Sequence, residues 1–224
     1  KPVYFRIFSD YTDIGLWGEI SIVERPALTL FIVKNSLEAL VISGFSALIA
    51  LLAMFFAMLQ TEKKSFGSIA LFSLSSAILL LSESQASQLL WNVPLMWDYL
   101  AAGSYYMLPV AMALLLEQWF SDRRPWLINL VWKIHLAYAV ASITLALSGL
   151  VDLSSTYPLF DALLLVSLAT ITIIVVERFR HLKIEQQIIL AAYAVFCTLL
   201  VVDMAVAHGV LPWGRVPVSW GTLI

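Results

Sequence analysis

Four carboxylates and one histidine stand where an apolar side chain would be expected, and they are the residues best placed to do chemistry. Glu83 lies in Leu81-Ser82-Glu83-Ser84-Gln85-Ala86-Ser87-Gln88, a polar tract closing an otherwise apolar run. Asp98, Asp161 and Asp203 each fall near the end of a long apolar run, and His208 follows Asp203 closely. Carboxylates so placed can attract a cation, accept hydrogen bonds from a ligand, or tie helices together. In a bilayer an ionised Asp at a helix centre costs about 2.5–3.5 kcal/mol on insertion scales, so such acids face protein or a watery cavity and often mark function. Glu83, Gln85, Asp98, Asp161, Asp203 and His208 are therefore the candidate ligand-binding set, lining a polar cavity at one end of the molecule. Asp98 and Asp161 also fit a plainer reading, in which hydration and snorkelling at helix ends tolerate acids. For Glu83 and Asp203, which lie deeper, ligand contact and interhelical hydrogen bonding both stand.

Other reactive types do not assemble. The sequence has no Gly-rich phosphate loop, no His-Glu-x-x-His, no cysteine pair and no Gly-x-Ser-x-Gly, so no catalytic residue is nominated and no enzyme is expected. The histidines His135, His181 and His208 fall in three separate places, which gives no metal site, and His135 is expected to hydrogen-bond across helices. Cys197 sits among Phe196, Leu199 and Leu200 as a buried thiol, and a lone cysteine excludes an intrachain disulfide. Glu117 and Glu177 read as interface pairs beside arginines, and Lys133 as a snorkelling lysine. Pro109, in Tyr105-Tyr106-Met107-Leu108-Pro109, leaves a backbone carbonyl unbonded and kinks its helix, a hinge candidate. No residue pattern assigns a cofactor.

The elements that must position these residues follow from hydropathy. Of 224 residues 61% are hydrophobic and 12% charged, with a mean hydropathy of +0.90; soluble domains carry roughly 25% charged residues. A net charge of −2 is too small to suggest nucleic acid or any strongly charged partner, and no nucleic acid is expected. A span needs about 20 apolar residues, and runs of that length lie at about 36–60, 66–90, 95–120, 126–150, 157–177 and 185–207, with 217–224 reading as the start of a seventh. The fold class is thus an all-α polytopic membrane bundle of six complete transmembrane helices plus the start of a seventh. Residues 1–35, with strand-like Val3–Phe8 and Glu19–Glu24, read as a short extracytoplasmic β segment and linker. Alternate loops carry Lys63, Lys64, Arg123, Arg124, Arg178, Arg180 and Lys183, whereas the opposite loops carry Arg215 alone. The positive-inside rule places the basic loops in the cytoplasm and residues 1–35 outside. The candidate acids then lie at the outer end.

With that layout, the chain resembles the bacterial seven-transmembrane receptors with diverse intracellular signalling modules. The resemblance rests on Val3–Asp10 ahead of the bundle, a first helix ending near Lys63-Lys64, and the polar Ser82-Glu83-Ser84 end. It continues in the stretch from Trp91-Asn92-Val93-Pro94 to Leu116-Glu117-Gln118-Trp119-Phe120 with Arg123-Arg124. It implies a fragment of a bacterial inner-membrane receptor: a jelly-roll-like sensor domain before Lys1, a cytoplasmic output module after the seventh helix, and a bundle without catalytic residues of its own. The partners expected are the lipid bilayer, an extracytoplasmic ligand or domain, and other membrane subunits. An alternative function is a structural or assembly subunit of a larger membrane complex. A transporter is disfavoured by the lack of internal repeats and broken helices.

Overall fold

A computed structural model describes residues 25–60, 63–120, 125–179, 182–207 and 211–212. Helices α1 (Leu28–Leu59), α2 (Lys63–Glu83), α3 (Ser87–Leu90), α4 (Pro94–Trp119), α5 (Pro125–Leu147), α6 (Leu153–Arg178) and α7 (Ile184–Ala207) follow a one-turn 3₁₀ segment, Arg25–Ala27. All except α3 are long and apolar enough to cross a bilayer, giving six candidate spans among the described residues. Helices meet that environment because each satisfies its own backbone hydrogen bonds where water is absent. The chain is an integral membrane protein, and its outward side chains contact lipid.

Several boundaries differ from those read in the sequence, each for a local reason. From Arg25 the chain is helical, so the expected linker up to residue 35 is 3₁₀ turn and the first turns of α1. Exposed Lys34 and Glu38 extend that helix rather than ending it, because apolar Leu28–Val33 continues the run before them. The strand-like stretch up to Glu24 and the expected seventh span at 217–224 lie outside the described residues, among which there is no strand. The second span stops at Glu83 instead of reaching residue 90. There Ser84 Oγ donates to the Leu81 carbonyl at 2.8 Å and Ser87 Oγ to the Ser84 carbonyl at 2.8 Å, side-chain bonds that compete with the helical ladder. The fifth span begins at Leu153 and carries Pro158 inside it.

The packing is centred on α4. It lies against α2, α5 and α6, while α1 meets α2 and α7 meets α6. In its most apolar window α4 is 61% buried, against 22% for α7, although its hydropathy is the lower of the two, 1.5 against 2.3. A helix enclosed by protein can carry polar groups that lipid would reject, and α4 does. The α1–α2 contact is rich in small residues: beside Ile42, Ser36, Ser43, Ser46, Ala50 and Ala53 are buried on α1, and Ala70, Ser73 and Ala77, with Leu80, on α2. Small side chains let backbones approach, close enough that Ser43 Oγ donates to the Ala77 carbonyl at 2.8 Å. Ser36 Oγ accepts from the Ala86 amide at 3.1 Å.

Candidate functional site at the acidic end of the bundle

The sequence places Tyr105 and Tyr106 side by side on α4, and Thr156, Tyr157, Phe160 and Asp161 along the first turns of α6. Successive residues on a helix point about 100° apart, so the tyrosine pair spans two neighbouring directions. Both find partners on α6. Tyr105 donates its hydroxyl hydrogen to Asp161 Oδ1 at 2.9 Å. Tyr106 and Thr156 share a hydrogen bond of 2.5 Å between their hydroxyls. The Thr156 hydroxyl donates to the Leu153 carbonyl at 2.6 Å, so it accepts from Tyr106. From α5, Tyr138 donates to the Thr156 carbonyl at 2.6 Å. Three helices are thereby stitched together at one residue.

The rings around these bonds form a continuous aromatic core. Phe160, fully buried, stands 4.4 Å from Tyr106, 4.9 Å from Tyr105, 5.7 Å from Tyr138 and 5.4 Å from His135, centroid to centroid. His135, also fully buried, is 2.9 Å from Ser167 Oγ through Nε2, so the interhelical bond expected of it exists, from α5 to α6.

The candidate acids gather round this core from four helices. Tyr157 lies within electrostatic reach of Glu83 of α2, Asp98 of α4 and Asp161 of α6. Tyr105, whose ring centroid is 6.2 Å from that of Tyr157, is within reach of Asp161 and Asp203 of α7. Glu83, Gln85 and Asp98 are exposed and Asp161 and Asp203 half-buried, so Asp203 lies deeper as expected whereas Glu83, the last residue of α2, lies at the rim and Asp161 takes the inner place. Asp203 Oδ1, Ser82 Oγ and Gln88 Oε1 are buried atoms without a hydrogen-bond partner among the described residues. Buried polar atoms are rarely left so. Gln85 sits in the turn after α2, and His208 lies outside the described residues. Among the described residues no group of histidine, cysteine and carboxylate side chains could hold a metal.

Pro109 is buried inside α4. Its missing amide deprives the carbonyl four residues earlier, that of Tyr105, of its helical partner, and Tyr105 is the residue that holds Asp161. Glu117 accepts from Asn129 Nδ2 at 2.6 Å and Trp132 Nε1 at 3.1 Å, both on α5; Arg123 and Arg124, beside which it was expected to pair, lie outside the described residues.

The model of the family described as 7TM diverse intracellular signalling matches residues 34–224. The chain belongs to that family. No match was found among curated proteins or among solved structures. As a 7TM diverse intracellular signalling protein it is a membrane module linked to signalling inside the cell, in agreement with the resemblance carried by Ser82-Glu83-Ser84 and the α4 stretch. The tyrosines of the aromatic core were not singled out from the sequence. Their signal was nonetheless there: tyrosine is a residue of membrane interfaces, so two adjacent ones well inside a span need partners for their hydroxyls.

Proposed function

We propose that this bundle is the membrane relay of a receptor in the bacterial inner membrane, with the acidic end outside the cell and the basic loops in the cytoplasm. The ligand or extracytoplasmic domain engages the rim formed by Glu83, Asp98, Asp161 and Asp203. The observation that carries the reading is the Tyr105–Asp161 hydrogen bond. It joins the acid set to α4, which packs against α2, α5 and α6, is the most enclosed of the long helices and continues without interruption to the opposite end. A ligand that binds one arrangement of α4 and α6 more tightly than another shifts the population between them. Pro109 supplies the hinge at which α4 can bend. The chemistry at the rim favours a cationic or hydrogen-bond-donating partner, and no catalytic step is assigned to the bundle.

The test uses the full-length receptor in its native membrane. Asp161→Asn and Asp203→Asn keep size and acceptor capacity but remove the charge. Both are expected to insert normally and to alter the response of the intracellular output. An unchanged response in both variants would remove the acids from the relay. If instead the wild type co-purified with a stable multi-subunit assembly and gave no output response, the assembly-subunit function would replace the receptor.

A further inference from the structure

The end of the bundle opposite the acids is built on a different plan. Between the first turn of α2, the last turn of α4 and the first turn of α7 opens a cavity of about 870 Å³ whose mouth carries Lys63, Lys64 and Lys183, with Gln118, Trp119 and Gln186 beside them. No aspartate or glutamate is among the described residues lining it. A second cavity, of about 240 Å³, runs on between the same three helices and is walled chiefly by apolar side chains, among them Phe72, Met112, Ile188 and Ala192. Ile69, Leu115 and Ile189 line both, so the two are one slot: basic at its mouth, apolar in its shaft.

The mouth is held in shape. Ser65 Oγ donates to Gln118 Oε1 at 2.6 Å, joining α2 to α4. Gln118 Nε2 donates to the Leu114 carbonyl at 3.0 Å, and Ser68 Oγ to the Lys64 carbonyl at 2.9 Å. The three lysines are exposed, so their ammonium groups are free of burial cost. Helices α2 and α7 both begin here, and the partial positive charge of a helix start adds to that of the lysines. Trp119 marks the depth of the membrane–water interface, where its ring and N–H suit the headgroup level.

A soluble anion would use the lysines and leave the shaft empty, and an apolar segment would fill the shaft and leave the lysines idle. One class of molecule in a bilayer uses both at these depths. We propose that the slot between α2, α4 and α7 is a binding site for a single anionic phospholipid, its phosphate on Lys63, Lys64 and Lys183 and one acyl chain along Ile69, Met112 and Ile188. Basic pockets between transmembrane helices take anionic headgroups for the same electrostatic reason. A lipid wedged there touches α4 and α7 together, the best and the least enclosed of the long helices, and so bears on how α7 sits.

The experiment is native mass spectrometry of the full chain released from nanodiscs of equal parts phosphatidylglycerol and phosphatidylcholine. The wild type is expected to retain one phosphatidylglycerol in preference to phosphatidylcholine. Lys63→Gln, Lys64→Gln and Lys183→Gln, all at exposed positions, should each weaken that preference roughly fivefold, the effect of one basic residue near an anionic lipid. Lys133→Gln, on α5 with its ammonium over Trp132, should leave it unchanged. Ala192→Trp, which fills the shaft, should reduce retention of the long-chain lipid with all three lysines in place. Equal retention of the two lipids by the wild type would overturn the proposal, and so would a preference that survives the triple lysine variant. Displacement of the lipid by millimolar inorganic phosphate would assign the mouth to a free anion instead, with the same result.

Discussion

The two ends of this bundle both use polar bonds between helices, but they differ in how completely the helices close. At the acidic end α4, α5 and α6 share hydroxyl–carboxylate, hydroxyl–hydroxyl and hydroxyl–carbonyl bonds within a dense aromatic core. At the basic end α2 and α4 are joined through Ser65, Ser68 and Gln118, while α7 stands off far enough to leave the slot. In lipid there is no hydrophobic drive between apolar helices, so contact must come from close packing and polar bonds. Where the sequence supplies both, as at Tyr106 and Thr156, helices close up. On the face of α7 that carries Ile188, Ile189 and Ala192 they leave a slot, although Leu190 on another face packs into the core. The contrast teaches that polarity inside this bundle acts as adhesive first and becomes a recognition surface only at its rim.

The comparison can be broken or sharpened by substitution. The largest effect is expected at Phe160, which touches four other rings. Phe160→Ala removes the centre of the acidic-end core and should cost about 3 kcal/mol or more, read as a large fall in the unfolding midpoint in micelles. Near-normal stability would mean that the rings are not what holds this end. Tyr106→Phe removes one hydrogen bond and leaves Thr156 bonded to the Leu153 carbonyl, so a loss of about 0.6–1.7 kcal/mol is expected, the scale of interhelical bonds in membranes. A similar loss should follow Gln118→Leu at the basic end if the two ends rely equally on their polar links; a much smaller one would sharpen the contrast. Asp161→Asn keeps an acceptor for Tyr105 and should change stability by less than about 0.5 kcal/mol, while altering signalling output. A variant that is fully active and badly destabilised would make Asp161 a structural residue.

How much of this was legible beforehand depends on the range over which each signal acts. Spans are local: a run of apolar residues closed by Thr61-Glu62-Lys63-Lys64 or by Gly149 identifies itself, and the bundle and the family followed. Boundaries failed where short-range chemistry competes, as with the serines that stop α2 at Glu83 and Pro158, which the first turns of α6 absorb. The meeting of Tyr105 with Asp161, and of α2 with α4 and α7 at the slot, joins residues distant in sequence. No spacing encodes which helices become neighbours, so those partners emerged only with the packing. The hydroxyls of Tyr105 and Tyr106, deep in a span, were a missed hint that partners had to exist.

The small-residue seam between α1 and α2 bears on how this protein can change over generations. Outward positions on α1 such as Val41, Leu48, Leu52 and Phe55 face away from the protein, and any apolar side chain serves lipid equally well there. Ser43, Ala50 and Ala77 have no such latitude, since each added carbon must push two backbones apart. Drift along the first helix is therefore expected to be one-sided, free on the lipid face and confined to small residues at Ser43, Ala50 and Ala53 on the other. The least enclosed stretch of the seam's two helices is thus a record of neutral change, printed beside a strip on which almost none can accumulate.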